Sequence, residues 1–371
     1  MSKRILLLAG EESGVIYSRR IAAVIKRTCP EAEIRGYDTY GFKTEDLGVF
    51  GYWEVLKRLF YFLRVKRTME RTIAEWKPEV VCTVDYPGLN LKLAAFAHER
   101  GVKTVHVVCP QVWAWHQGRI PKIEATLDKL CCFLPFEPKI FRPGLAEFIG
   151  HPLMEEFAAK GEIGSANSAA GKSKILALLP GSRIGEIGHH LPILLEVVRR
   201  LKAKGKVDQV LIPAANDRAY RAISQQVAKC PEAIKSLISL THGDARAALR
   251  SATAAVVASG TATLEAALIG VPTVLVYKVG YLLGEFLKRA IKGTRYAGLA
   301  NVIWERCGGQ GTQPMPELLQ DNFTVEKTLE LIEGYLDGGE AAANARAALA
   351  DSMKLLKSDG DAIEKIVRNL F

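Results

Sequence analysis

The sequence predicts an α/β protein with two Rossmann-like, doubly wound domains facing across a cleft. Three observations carry this. Short hydrophobic runs alternate with helical patterns from the start of the chain, the rhythm of a parallel sheet. The rhythm breaks at Gly161 to Ser173, a Gly/Ser/Ala-rich, apolar-poor stretch, and then restarts. Finally, 371 residues exceed what one simple core organises. The predicted divisions are an N-terminal domain over 1–165, a C-terminal domain over 170–340 and a helical segment over 341–371.

In the first half, Ile5 to Ala9 is an apolar run ended by a Gly-containing turn and read as a strand, with a helix over Ser13 to Thr28. Ala32 to Tyr37 is the next strand. Val80 to Val84 is apolar throughout, as a strand buried on both faces should be, and a helix runs through Leu93 to Arg100. Thr104 to Val108, Lys129 to Phe133 and Glu147 to Ile149 complete this set of strands. In the second half, strands are expected at Ile175 to Leu179, Gln209 to Pro213, Ser236 to Leu240, Ala254 to Ala258 and Thr273 to Tyr277. Helices are expected over Ile187 to Lys202 and Tyr220 to Ala228. Ala266 to Ile269 is helical and stopped by Gly270-Val271-Pro272. Glu340 to Leu370, rich in Ala, Lys, Arg and Leu, reads as helix. Ligands of open α/β sheets bind beyond the carboxyl ends of strands, so the cleft is the expected site.

Composition narrows the partners. The net charge is +10, which favours anionic ones: phosphates, acidic lipid surfaces or nucleic acid. The basic residues are spread out and no zinc-finger or RNA-recognition motif occurs, so nucleic acid is set aside. The amino terminus lacks signal-peptide character, and no apolar stretch reaches the ~18 residues of a membrane span. Seven cysteines without a CxxC pair fit reduced thiols in the cytoplasm. His189-His190 point to different sides of a helix and have no carboxylate cluster beside them, so no metal site is expected. No cofactor is expected either.

Four motifs carry chemistry. Ser259-Gly260-Thr261-Ala262-Thr263-Leu264-Glu265 joins a strand to a helix N-terminus. Unpaired N–H groups and the helix dipole suit a phosphate there, with Glu265 in the first turn directed at ribose hydroxyls. An ordinary helix cap needs only the Ser or Thr. Pro180-Gly181-Ser182-Arg183-Ile184-Gly185-Glu186 closes another strand. Arg183 supplies a fixed cation for a phosphate, and Glu186 can orient it or meet a sugar hydroxyl. Gly10-Glu11-Glu12-Ser13-Gly14 is neither a dinucleotide fingerprint nor a P-loop, but Gly10, Glu11, Ser13 and Gly14 form a candidate substrate loop. Val84-Asp85-Tyr86-Pro87-Gly88-Leu89-Asn90 sets a carboxylate at a strand end, either a general base or a helix cap.

These motifs occur in order with Pro110-Gln111-Val112-Trp113-Ala114-Trp115, Arg119, Lys122-Ile123, Cys131-Cys132-Phe133-Leu134-Pro135-Phe136-Glu137-Pro138, Asn301 and Pro316-Glu317-Leu318-Leu319-Gln320. The set resembles the lipid-A-disaccharide synthase family from near residue 4 to about 320. The resemblance implies an inverting glycosyltransferase with the two-domain B-type fold. It implies transfer of diacylglucosamine from UDP-diacylglucosamine to the 6-hydroxyl of a lipid monosaccharide phosphate, diacylglucosamine 1-phosphate. It also implies roles: Asp85 catalytic, and Arg183, Glu186, Ser259, Gly260, Thr261, Glu265 and Asn301 on the UDP side. Val15, where the family usually has Asp, and Gly88, where a second acidic group is missing, depart from the pattern on the acceptor side. The stretch Trp304 to Pro316 is unusually long.

The segment Tyr52 to Arg67 reads as a basic, aromatic-rich amphipathic helix. Trp53, Leu56, Phe60 and Leu63 with Arg64 and Lys66 suit an anionic inner-membrane surface or an acyl groove. A core helix with a basic edge is the alternative. The overall reading is a cytoplasmic enzyme, peripheral on the inner membrane, with homo-oligomerisation left open. Two alternatives remain: an isomerase of the UDP-N-acetylglucosamine 2-epimerase type and a catalytically silent UDP-sugar-binding homologue.

Overall fold

The computed structural model describes residues 3–10, 12–43, 47, 59–166, 173–280, 284–285 and 293–371. The chain forms two compact units, Met1–Pro152 with Leu356–Phe371, and Leu153–Leu355. These bounds differ from divisions at 165–170 and 340 for two reasons. The helix Pro152–Ala159 is tied into the second unit by Glu156, which accepts from Arg246. The expected C-terminal helical segment is broken by Gly360 at φ +77° into Gly339–Lys354 and Ala362–Leu370. Only the latter returns to the first unit.

In the first unit the strands are β1 (Arg4–Ala9), β2 (Glu33–Arg35), β3 (Val80–Val84), β4 (Lys103–Val107), β5 (Lys129–Cys132) and β6 (Ala146–Phe148). They form one parallel sheet in the order β2-β1-β3-β4-β5-β6. Alternate residues serve opposite faces. Ile5, Leu7, Cys82, Val84, Val105 and Val107 meet the helix Glu12–Thr28 through Ile21 and Ile25, and the helix Ala362–Leu370 through Ile363, Ile366 and Leu370. Leu6, Leu8 and Val81 meet the helix Leu59–Trp76 through Val65, Met69 and Ile73, and the helix Pro87–His98 through Leu89 and Leu93. The sheet is therefore covered on both faces, which is why its strands are nearly all apolar.

The second unit repeats the plan with β7 (Ile175–Leu179), β8 (Gln209–Ala214), β9 (Ile238–His242), β10 (Ala254–Ala258), β11 (Thr273–Tyr277) and β12 (Glu317–Leu319). Its order is β12-β11-β10-β7-β8-β9, again all parallel. The strand β12 was not anticipated. Its three residues give too short a run to show a period. The helices Ile184–Ala203 and Val325–Leu336 pack on one face through Ile187, Leu191, Leu194, Ile332 and Leu336. The helix Thr261–Ile269 ends at Gly270, whose φ of +80° is the left-handed conformation that terminates a helix.

One buried polar pair lies inside the first sheet. His106 on β4 is fully buried and its Nδ1 is 2.7 Å from the Thr83 hydroxyl on β3. Burial pushes its pKa from 6.5 down to about 3. A folded pKa below the unfolded value means that the unfolded chain takes the proton first. The contribution is complete above about pH 6.5 and is lost as pH falls toward about 3. The expected loss at about pH 4 is about 3 kcal/mol. Urea melts of the wild type and His106→Gln across this range check it. The wild type should lose more stability on acidification than the variant, and parallel pH profiles would refute the assignment.

Candidate active site

Each sheet reverses its strand order once, at β1/β3 in the first unit and β7/β10 in the second. Connections from such a pair leave to opposite faces and open a crevice at the carboxyl ends. All four motifs lie at these two places. Gly10 and Asp85 follow β1 and β3, and Arg183 and Ser259 follow β7 and β10.

At β1/β3, Asp85 and Tyr86 both adopt φ +52°, a conformation costing about 1–3 kcal/mol for each non-glycine residue. Asn90 holds them. It is fully buried, donates from Nδ2 to the Asp85 carbonyl at 2.8 Å and accepts the Tyr37 hydroxyl at 2.7 Å. The Tyr86 ring lies on Gly10, where an added Cβ would stand 2.4 Å from the ring; this position therefore requires glycine. Gly14, inside the first helix, has the Val84 carbonyl 3.3 Å from where a Cβ would lie. Glu11 is outside the described residues, as is the side chain of Ser13. The Asp85 carboxylate accepts the Tyr86 N–H at 2.8 Å, and burial raises its pKa against that hydrogen bond. A half-buried carboxylate with a raised pKa suits a general base. Val15 packs against the core, and Gly88 stands in open space.

The segment Trp113-Ala114-Trp115 is pinned from below. Glu137 accepts Trp113 Nε1 at 3.1 Å and the Leu134 N–H at 3.1 Å, and burial lifts its pKa to about 8. With Cys109 and Cys132 it forms a buried group of metal-ligand type, but both carboxylate oxygens already hold N–H donors. Trp115 is left exposed.

At β7/β10, the loop Pro180 to Ser182 leads into the helix Ile184–Ala203. Gly181 has φ +114°, and a Cβ there would stand 2.6 Å from a Glu186 oxygen. Glu186 is buried and pairs with Arg183 at 2.7 Å, while the guanidinium remains largely exposed. Glu186 thus orients Arg183. His190, which sequence reasoning weighed only as a metal ligand, locks the loop. Its Nδ1 is 2.7 Å from the Pro180 carbonyl, and its Nε2 accepts the Lys278 N–H at 2.8 Å. That geometry requires the neutral ring, and burial lowers its pKa.

Across the switch point, Gly260 at φ +154°, ψ −166° opens the helix Thr261–Ile269. The N–H groups of Thr261 and Ala262 precede the first helical hydrogen bond, whereas Thr263 N–H donates to the Gly260 carbonyl at 3.1 Å; Gly260 and Thr261 are exposed. Glu265 is the fifth helical residue, not part of the first turn, because the helix begins at Thr261 rather than at Ala266. Its Oε1 accepts Arg246 Nε at 2.8 Å. Asn301 is fully buried and spent inside the protein. Nδ2 donates to the Met315 carbonyl and to Glu317 Oε1, each at 2.7 Å, and Oδ1 accepts the Met315 N–H at 2.9 Å. Glu317 in turn takes the N–H groups of Ala297 and Gly298, and the Ala297 carbonyl accepts the Ser259 hydroxyl at 3.2 Å. Asn301 therefore reaches the site through Glu317 and Ala297. Its amide is not itself presented to a ligand.

A family model described as lipid-A-disaccharide synthetase matches residues 5–366. The chain belongs to the lipid-A-disaccharide synthetase family. Membership makes it a glycosyltransferase of lipid A biosynthesis. The lipid-A-disaccharide synthase of Alcanivorax borkumensis is 34% identical, covering 91% of this chain and 89% of its own. That of Neisseria gonorrhoeae is 31% identical, covering 96% and 93%. Among solved structures, a putative UDP-N-acetylglucosamine 2-epimerase from Listeria monocytogenes superposes with a TM-score of 0.60 at 13% identity, over 99% of this chain and 95% of its own. The calicheamicin glycosyltransferase CalG4 gives 0.56 at 13% identity, over 99% and 97%. At that identity the likeness shows the fold alone. Since the fold serves epimerases and transferases alike, the family decides against the epimerase alternative.

The Asn301 network has a measurable consequence. Asn301→Ala should lower the thermal midpoint, with about 1–3 kcal/mol for each buried Met315 group left without a partner. Differential scanning calorimetry reads it, and an unchanged midpoint would show the network to be incidental.

Proposed function

We propose that this glycosyltransferase moves 2,3-diacylglucosamine from its UDP form to the 6-hydroxyl of 2,3-diacylglucosamine 1-phosphate. The products are lipid A disaccharide 1-phosphate and UDP. The observation that carries this is the pair of anion-suited turns at the β7/β10 switch point of a family member. The N-terminus of the helix Thr261–Ile269 and Arg183 would take the diphosphate, and Glu265 the ribose. The first unit takes the lipid acceptor. As the acceptor oxygen bonds to the anomeric carbon, Asp85 takes its proton and the bond to UDP breaks. The charge that develops on UDP is met by the helix N–H groups and Arg183. Incubation with both lipids and mass spectrometry of the products tests the reading: a disaccharide and UDP support it, and an epimerised UDP-sugar or no turnover would sink it.

Asp85→Asn should retain UDP binding and lose turnover by roughly a hundredfold or more. A variant with near wild-type turnover would remove Asp85 from the mechanism.

The substrates proposed are lipids, so the enzyme must reach a membrane. Among the described residues no helix is long and apolar enough to cross one. Trp53 and Leu56 lie outside the described residues. In the helix Leu59–Trp76 the core side is Val65, Met69 and Ile73, whereas Phe60 is 85% exposed, with Leu59 and Leu63 also exposed. Phe60, Leu63, Arg64, Arg67 and Arg71 line one outward pocket of about 370 Å³, on the helical face that i, i+4, i+7 spacing produces. Lys66 instead pairs with Glu70, which withdraws it from the basic row. This face supports peripheral docking on an anionic membrane. Replacing Phe60 and Leu63 with Ser, and Arg64 and Arg67 with Glu, should release the protein from anionic liposomes and spare UDP binding. Undiminished co-sedimentation would exclude this face.

A further inference from the structure

Arg246 has no part in the reading above and stands behind it. It is the second residue of the helix Ala245–Ser251, which follows β9. Its Nε donates to Glu265 Oε1 at 2.8 Å, its Nη1 donates to Glu156 Oε1 at 2.6 Å, and its guanidinium lies 4.6 Å from the Phe157 ring centroid. One side of the guanidinium is therefore held by the helix Pro152–Ala159, and its Nε edge is turned to Glu265. The Arg246 and Glu265 side chains are only 26% and 16% exposed, so the pair is not a freely solvated one. Among the described residues no hydrogen bond reaches Glu265 Oε2. Glu265 also shares a helical face with Thr261, four residues earlier, and helical side chains lean toward the N-terminus.

We infer that Arg246 is a positioning residue for sugar-nucleotide recognition: it clamps one oxygen of Glu265 and so aims the other at the vicinal hydroxyls of the nucleotide ribose. The inference rests on the donor site proposed above. Anchoring by Glu156 and Phe157 matters because a carboxylate on a free two-methylene stem loses rotamer entropy each time it binds, and a preheld one does not. Lysine cannot replace the two-sided hold, since it offers a single flexible ammonium.

Isothermal titration of UDP and 2′,3′-dideoxy-UDP against wild type, Glu265→Ala, Arg246→Ala and the double variant tests this. Wild type should prefer UDP, and Glu265→Ala should erase the preference. Arg246→Ala should cut UDP affinity roughly tenfold with no more than about a twofold effect on the dideoxy nucleotide, and the double variant should bind no more weakly than Glu265→Ala alone. Equal weakening of both nucleotides by Arg246→Ala would mean a structural role only and overturns the inference. If Glu265→Ala erases the preference and Arg246→Ala leaves it intact, the inference fails while the ribose role of Glu265 stands. If Glu265→Ala keeps the preference, the ribose role fails and takes the inference with it. Should Arg246→Ala not fold, Arg246→Lys replaces it in the same comparison.

Discussion

Reversal of strand order in a parallel sheet governs where both sets of motifs lie. Each unit begins in the middle of its sheet and builds outward both ways. The connection after β1 enters a helix on one face, through Ile21 and Ile25, and the connection after β3 enters a helix on the other, through Leu89 and Leu93. The chain leaves the two strands of a reversal toward opposite faces, which opens a crevice at their carboxyl ends. That is why Gly10 with Asp85, and Arg183 with Ser259, lie at the carboxyl ends of neighbouring interior strands although each pair is separated by about seventy-five residues of sequence.

Holding such loops open requires buried polar anchors whose hydrogen bonds are satisfied inside the protein. Asn90 offsets the left-handed pair Asp85-Tyr86, His190 ties the Pro180 loop to Lys278, and Asn301 with Glu317 fixes the 297–298 backbone beside Ser259. Asn90, His190 and Asn301 are buried, and each would be costly if its partners were missing. None needs to touch a substrate. Their effect is to keep the exposed helix N-terminus at Thr261, the exposed Arg183 guanidinium and the half-buried Asp85 carboxylate in place before anything binds, so binding energy is not consumed in ordering them.

Much of this was legible in the sequence. Strands such as Val80–Val84 and Ala254–Ala258 are buried on both faces, so an unbroken apolar run marks them fully. The glycine-rich turns were visible because only glycine fits where Tyr86 covers Gly10 and where Glu186 meets Gly181. What was hidden depends on contacts distant in sequence. Nothing local marks Arg246 as the partner of Glu265, or Glu317 as the acceptor for Ala297 and Gly298. Asn301 read as a nucleotide contact because position cannot reveal that its amide is already spent on Met315 and Glu317. The start of the helix at Thr261 was missed because Thr261 to Thr263 lacks apolar periodicity and reads as turn.

The β7/β10 switch point is proposed here as the diphosphate site. Amide hydrogen exchange of the full chain with and without UDP tests it most directly. UDP should slow exchange at the amides of 181–184 and 260–263, with little change at β8 and β9. Protection confined to other segments, with the 181–184 and 260–263 amides unaffected at saturating UDP, would contradict it.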